Sequence, residues 1–127
     1  MPPGQVQRFL EEQSGMQLTG FQYEPWVLFR NPEYHGQFLN TDARGLRRKT
    51  TARAPCSNPV RVFVFGGSTT FGYGVADEET IPAQLAAQLA NLLPGKRVSV
   101  YNLATPNYVG IQERIQLEQL LLNGHAP

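Results

Sequence analysis

Hydrophobic positions are unevenly distributed along this chain, and from residue 60 onward they fall into two kinds of run. Val60, Val62, Phe63, Val64 and Phe65 form a short β-branched and aromatic block broken only by Arg61, the pattern of a buried parallel strand. Thr80 then offers an N-cap and Pro82 suits a first helical turn. Ile81, Leu85, Leu89 and Leu92 follow at helical spacing, and Pro94-Gly95 stops that helix. A second strand, Arg97 to Asn102, leads into a turn at Thr105-Pro106-Asn107. A further helix is predicted from Ile111 to Leu122, with Ile111, Ile115, Leu117, Leu121 and Leu122 apolar. Strand, loop and helix repeated in this order imply an α/β fold with right-handed crossovers and a parallel sheet. Residues 1–59 are rich in polar and turn residues. They suggest a short helix from Gln5 to Gln13, then turns and extended pieces around Tyr23 to Phe29. The chain thus divides into a lead-in, 1–59, and an α/β part, 60–127. Two strands make a poor sheet. A helix ending at Asn123-Gly124 should feed another strand, so 60–127 is expected to be the N-terminal portion of a longer α/β domain.

Length and charge narrow the function. With 127 residues the chain can bury a core as one domain or part of one. Its net charge of +1 argues against a nucleic-acid surface, although Arg44, Arg47, Arg48, Lys49 and Arg53 form a local basic cluster. Cys56 is the single cysteine, which excludes an intrachain disulfide and a cysteine metal cluster. No apolar run approaches a membrane span, and MPPGQVQRFLEEQ lacks the hydrophobic centre of a signal peptide. Neither cofactor nor metal is expected.

The chemistry concentrates where the first strand stops. Gly66-Gly67 lets the backbone turn sharply and then presents Ser68, at the carboxyl end of a strand, where open α/β sheets bind ligands. Three Gly-rich motifs do not fit. A P-loop needs Gly-Lys-Ser/Thr, and no lysine occurs between Lys49 and Lys96. A dinucleotide fingerprint needs a third glycine where Asp77 stands. The nucleophile elbow Gly-x-Ser-x-Gly fails because Gly66-Gly67-Ser68-Thr69-Thr70 ends in threonine. Two roles for Ser68 stay open at this level: a nucleophile, or a hydrogen-bonded turn serine.

Val62-Phe63-Val64-Phe65-Gly66-Gly67-Ser68-Thr69-Thr70-Phe71-Gly72-Tyr73-Gly74-Val75, with Asp77-Glu78-Glu79-Thr80 beyond, resembles the first motif of SGNH (GDSL-type) hydrolases. The usual text is Gly-Asp-Ser, and Gly67 takes the place of Asp, as in a bacterial branch of that family. Val100-Tyr101-Asn102-Leu103-Ala104-Thr105-Pro106-Asn107-Tyr108, with Gln112, is similar to the second motif. Asn40-Thr41-Asp42 with Gly45-Leu46-Arg47 resembles the lead-in of the same branch. The resemblance spans about residues 20–127. It implies a three-layer parallel-sheet sandwich of flavodoxin-like architecture, in which Ser68 attacks an ester and its backbone N–H helps hold the oxyanion. Asn107 stands where the family has an oxyanion glycine, and asparagine tolerates left-handed backbone. The third motif, Gly-x-Asn-Asp, and the fifth, Asp-x-x-His, which supply a side-chain oxyanion donor and the base, are absent from these residues.

The resemblance therefore implies a serine hydrolase acting on small-molecule or carbohydrate esters, with its general base outside this stretch. A carbohydrate O-acyltransferase on the same scaffold, or a non-catalytic ligand-binding α/β module, remain the alternatives. His35, in Pro32-Glu33-Tyr34-His35-Gly36, and His125, near the chain end, suit exposed positions better than a base role. Asp77 and Glu78 fit helix-start electrostatics. Arg44, Arg47 or Arg48 could hold a substrate carboxylate or phosphate, or form a solvated basic loop. Tyr23, Trp26 and Phe29 could line an acyl pocket or belong to the core.

Overall fold

The computed structural model describes residues 2–47, 50–52 and 60–124. Arg48, Lys49, Arg53, Cys56 and His125 lie outside the described residues. The chain opens with α1 (Pro3–Thr19), several residues longer than its sequence suggests. Hydrophobic periodicity underestimates it because α1 buries only Phe9 and Met16. A polar contact does much of the anchoring instead. The Glu12 carboxylate accepts the backbone N–H groups of Gln37 (2.7 Å), Phe38 (2.8 Å) and Leu39 (3.1 Å), charge-assisted bonds that outweigh ordinary neutral ones.

Two small hairpins follow, β1 (Gln22–Glu24) with β2 (Leu28–Arg30) and β3 (Tyr34–His35) with β4 (Asn40–Thr41). The main sheet has three strands in the order β5 (Thr50–Ala52), β7 (Val98–Asn102), β6 (Val60–Val64). β6 and β7 are parallel, in register from Val60 opposite Val98 to Val64 opposite Asn102, whereas β5 runs antiparallel to β7. Between β6 and β7 come α2 (Ser68–Phe71), a 3₁₀ turn (Asp77–Glu79) and α3 (Ile81–Leu92); α4 (Gly110–Leu122) follows β7. Among the described residues this is a mixed α/β fold with small sheets and one parallel strand pair.

The helix after β6 starts where Thr80 predicts, but its packed face is rotated from the expected stripe. Pro82, Ala83 and Ala86 are buried, while Ile81 is 51% and Leu92 74% exposed. Positions 82, 86, 89 and 93 lie along one helical row. The small Ala86 lets that row approach Val98 and Val100, with Val60, Val62, Val64, Leu85, Leu89 and Leu93 packed around them. A second cluster joins α1 to the Ser68 loop and the exit of β7 through Met16, Leu39, Phe71 and Ala104. α4 differs more from expectation. Its buried residue is the polar Gln112, and Ile111, Leu121 and Leu122 are exposed. Gln112 donates from Nε2 to the Val27 carbonyl at 3.0 Å, so a hydrogen bond to the first hairpin orients this helix. No helix among the described residues is long and apolar enough to cross a membrane.

Thr80 joins two of these elements. Its Oγ1 accepts the Ala83 N–H at 3.3 Å and donates to the Asp77 carbonyl at 3.0 Å, in a buried position. Thr80→Ala should lower unfolding free energy by about 1–2 kcal/mol, read from a urea midpoint, while Thr80→Ser keeps most of it. A midpoint unchanged in Thr80→Ala would show that the cap contributes nothing.

Candidate functional site

The site grows from the carboxyl ends of the two parallel strands. β6 delivers the chain to Gly66, whose φ is +155°. A Cβ there would lie 2.3 Å from the Thr70 Oγ1, so α2 can fold back over the strand end only because residue 66 has no side chain. Ser68 is the first residue of α2 and is exposed. The loop closes on itself through Tyr73 N–H to the Ser68 carbonyl at 2.9 Å and the left-handed Gly72, φ +90°.

β7 delivers the second loop alongside. Pairing continues past both strands, with Leu103 N–H donating to the Val64 carbonyl (2.9 Å) and Thr105 N–H to the Gly66 carbonyl (3.1 Å). Thr105-Pro106-Asn107-Tyr108 then turns, closed by Tyr108 N–H to the Thr105 carbonyl at 3.1 Å. Proline at the second position and a positive φ, +68°, at Asn107 are the pattern of a type II turn. Asn107 is exposed. Ser68 and Asn107 line one cavity of about 470 Å³, walled by Met16, Phe21, Pro32 and Pro106 and edged by Gln17, Asn31 and Tyr73. Asn31 is fully buried, donates to the Gly45 carbonyl at 3.1 Å, and has an Oδ1 without a hydrogen bond among the described residues.

Supporting side chains come from either side. Asn102 donates from Nδ2 to the Thr70 and Phe71 carbonyls, both at 3.2 Å, and accepts Ala104 N–H on Oδ1. It thereby satisfies the open end of α2 from the strand that carries the Asn107 turn. Gln13 Oε1 accepts Gly74 N–H at 2.9 Å, and Gln17 Nε2 donates to the Tyr73 hydroxyl. Tyr108 donates its hydroxyl to the Phe29 carbonyl at 2.7 Å, and burial raises its pKa above the usual phenol value. The phenol therefore stays a donor throughout the neutral range.

The remaining candidates sit elsewhere. Arg47 is not a substrate-binding cation: its side chain is buried, pairs with the buried Asp77 at 2.6 Å, and is directed into backbone carbonyls. Asp77 accordingly serves as Arg47's partner rather than as a free charge at a helix start. Arg44 is exposed, pairs with Asp42 at 3.6 Å and lines a separate cavity with Arg30. Glu78 is exposed. His35 is exposed and lies 3.0 Å from the Glu33 carboxylate. Tyr23 and Trp26 belong neither to the core nor to the cavity. They stand out on the first hairpin, where Trp26 and Leu28 have positive φ. Phe29 packs on Phe21 and Tyr108 at centroid distances of 4.7 and 5.4 Å. The wall from α1 and the tie through Asn102 are the parts that sequence reasoning missed. An asparagine closing a strand of valines was the one available signal for the tie. Among the described residues no group of three His, Cys, Asp or Glu side chains is placed to hold a metal ion.

No protein-family model matches the chain, and no curated protein shows significant similarity to it.

Two backbone substitutions test the construction. Asn107→Gly should be tolerated, whereas Asn107→Val should cost about 1–2 kcal/mol because a β-branched residue resists positive φ. Gly66→Ala should cost about 1–3 kcal/mol through the contact with Thr70. Equal stability of Asn107→Gly and Asn107→Val in thermal melts would contradict the turn geometry.

Proposed function

We propose that this chain carries the nucleophile of a serine ester hydrolase, built on a flavodoxin-like three-layer α/β sandwich of the SGNH type. One observation carries the reading: Ser68 and Asn107, from loops after two parallel strands, line the same cavity. Ser68 Oγ attacks the ester carbonyl carbon while an imidazole base takes its proton. The carbonyl oxygen becomes negative and is stabilised by the backbone N–H groups of Ser68 and Asn107, each donor contributing on the order of 10²–10³ in rate. The C–O bond to the alcohol then breaks, the alcohol leaves with the proton held by the imidazole, and water later releases the acyl group by the reverse sequence.

Among the described residues no histidine lines the cavity, and the base is proposed to come from outside them. That same observation favours a second reading, a non-catalytic module that binds its ligand at the Ser68 loop. Activated chemistry at Ser68 separates the two. With imidazole added to replace the base, a fluorophosphonate probe should phosphonylate Ser68, mapped by peptide mass spectrometry, and Ser68→Ala should abolish the adduct. Without imidazole, residues 1–127 should turn over a nitrophenyl ester at close to the buffer rate, because loss of a base costs about 10⁶ in a serine hydrolase. Failure of Ser68 to react even with imidazole would sink the catalytic reading. Robust turnover without imidazole, lost in Ser68→Ala, would locate the base within this chain instead.

A further inference from the structure

Ser68 lies between two concavities rather than at the edge of one. On one side is the cavity of about 470 Å³ that it shares with Asn107. On the other is a groove of about 420 Å³ bounded by Thr69, Val75, Glu79 and Ile81, and Tyr73 borders both. Each volume falls within the roughly 300–1,000 Å³ of small-molecule sites. Resting on the ester-hydrolase reading, we infer that the Asn107 cavity takes the acyl half of the ester and that this acyl group is uncharged and largely apolar.

The assignment of halves follows from the reaction. The oxygen that becomes negative faces the Ser68 and Asn107 N–H groups, which sets the acyl carbon at the mouth of this cavity and leaves its two other substituents to the concavities on either side. The alcohol must depart toward solvent, and the groove opposite is bordered by the exposed Thr69, Tyr73 and Glu79. The character of the acyl group follows from the cavity walls. Met16, Phe21, Pro32 and Pro106 are apolar, and Gln17, Asn31, Tyr73 and Asn107 are polar without charge. Among the described residues no Asp, Glu, Lys, Arg or His lines it. A carboxylate at the far end of an acyl chain would lose water there and gain no cation from these residues. The described arginines nearby do not change this, because Arg47 is locked to Asp77 and Arg30 and Arg44 border a different cavity.

Gln17 is the position at which the preference can be altered, being exposed at the cavity edge on α1. Binding of non-reactive acyl amides to the ¹⁵N-labelled chain tests the inference without needing catalysis. Hexanamide should shift the backbone amide signals of Gln17, Phe21, Ser68 and Asn107 saturably. Adipic acid monoamide, of the same chain length but ending in a carboxylate, should bind at least about tenfold more weakly. Gln17→Arg should narrow that gap by supplying the missing cation. Equal binding of the two amides by the unaltered chain, shifts confined to Val75, Glu79 and Ile81, or no saturable shift from either amide would each overturn the inference. The outcome is independent of the catalytic reading. Ser68 that reacts with the phosphonate while the amides bind equally refutes the acyl specificity alone. Selective hexanamide binding with an inert Ser68 refutes the enzyme and retains the acyl pocket.

Discussion

Arg47 places a full positive charge inside the fold with 1% of its side chain exposed, against an Asp77 side chain that is 7% exposed. Dehydrating two such ions costs several kcal/mol each, which their mutual attraction offsets only when the remaining hydrogen-bonding groups are also satisfied. Here they are. Arg47 Nε donates to Asp77 at 2.6 Å, Nη1 to the Phe71 and Gly72 carbonyls at 3.3 and 2.9 Å, and Nη2 to the Val75 carbonyl at 2.8 Å. The Phe71 ring lies 5.1 Å from the guanidinium, close enough for a cation–π contribution. Asp77 in turn accepts from the Asn40 backbone and side chain. The carbonyls that Arg47 gathers belong to the end of α2 and the loop beyond it. Ser68 lies at the other end of the same short helix, whose exit one guanidinium thus ties to the lead-in.

A site assembled this way is stiff without depending on a large apolar core. The loop from Ser68 to Asp77 is held from three directions: Arg47 from the lead-in, Asn102 from β7, and Gln13 with Gln17 from α1. Apart from the Arg47–Asp77 ion pair, each tie ends on backbone or on Tyr73, and the exposed Ser68 side chain is left clear of them. The proposed acyl chemistry requires preorganised donors, because donors that must reorganise during reaction lose much of their value. The same polar framework joins the lead-in to the α/β part at the site. Met16 and Phe21 come from the lead-in and form cavity wall, whereas Ser68 and Asn107 come from the strand loops.

What the sequence made legible was the part governed by local rules. The Val-rich block before Gly66 and the Pro106-Asn107 turn each have a short-range cause, a buried strand pattern and a turn that needs positive φ at its third residue. Ser68 and Asn107 therefore fall on neighbouring loops by local pattern alone. The long-range polar contacts were not legible. Glu12 reaches across more than twenty residues to Gln37, Phe38 and Leu39, and Arg47 reaches thirty residues to Asp77. Nothing in either residue's neighbourhood marks it as an internal clamp; a basic cluster more often lies in solvent. The rotated face of α3 failed for a related reason. Ala83 and Ala86 are too weakly hydrophobic to dominate a pattern that also contains Ile81 and Leu92, yet their small size decides which row meets the sheet.

The dependence of the Ser68 loop on the buried ion pair is the claim on which the rest turns, and Asp77→Asn tests it with almost no change in shape. Leaving Arg47 buried opposite a neutral amide should cost about 3–5 kcal/mol. It should also speed amide hydrogen exchange at Ser68, Tyr73 and Val75 far more than at Val62 and Val100. The paired replacement Arg47→Met with Asp77→Leu, which removes both charges, should cost less than the sum of the two single changes and so keeps the measurement interpretable if Asp77→Asn unfolds. Stability within about 0.5 kcal/mol of the unaltered protein, with unchanged exchange from Ser68 to Val75, would contradict the account.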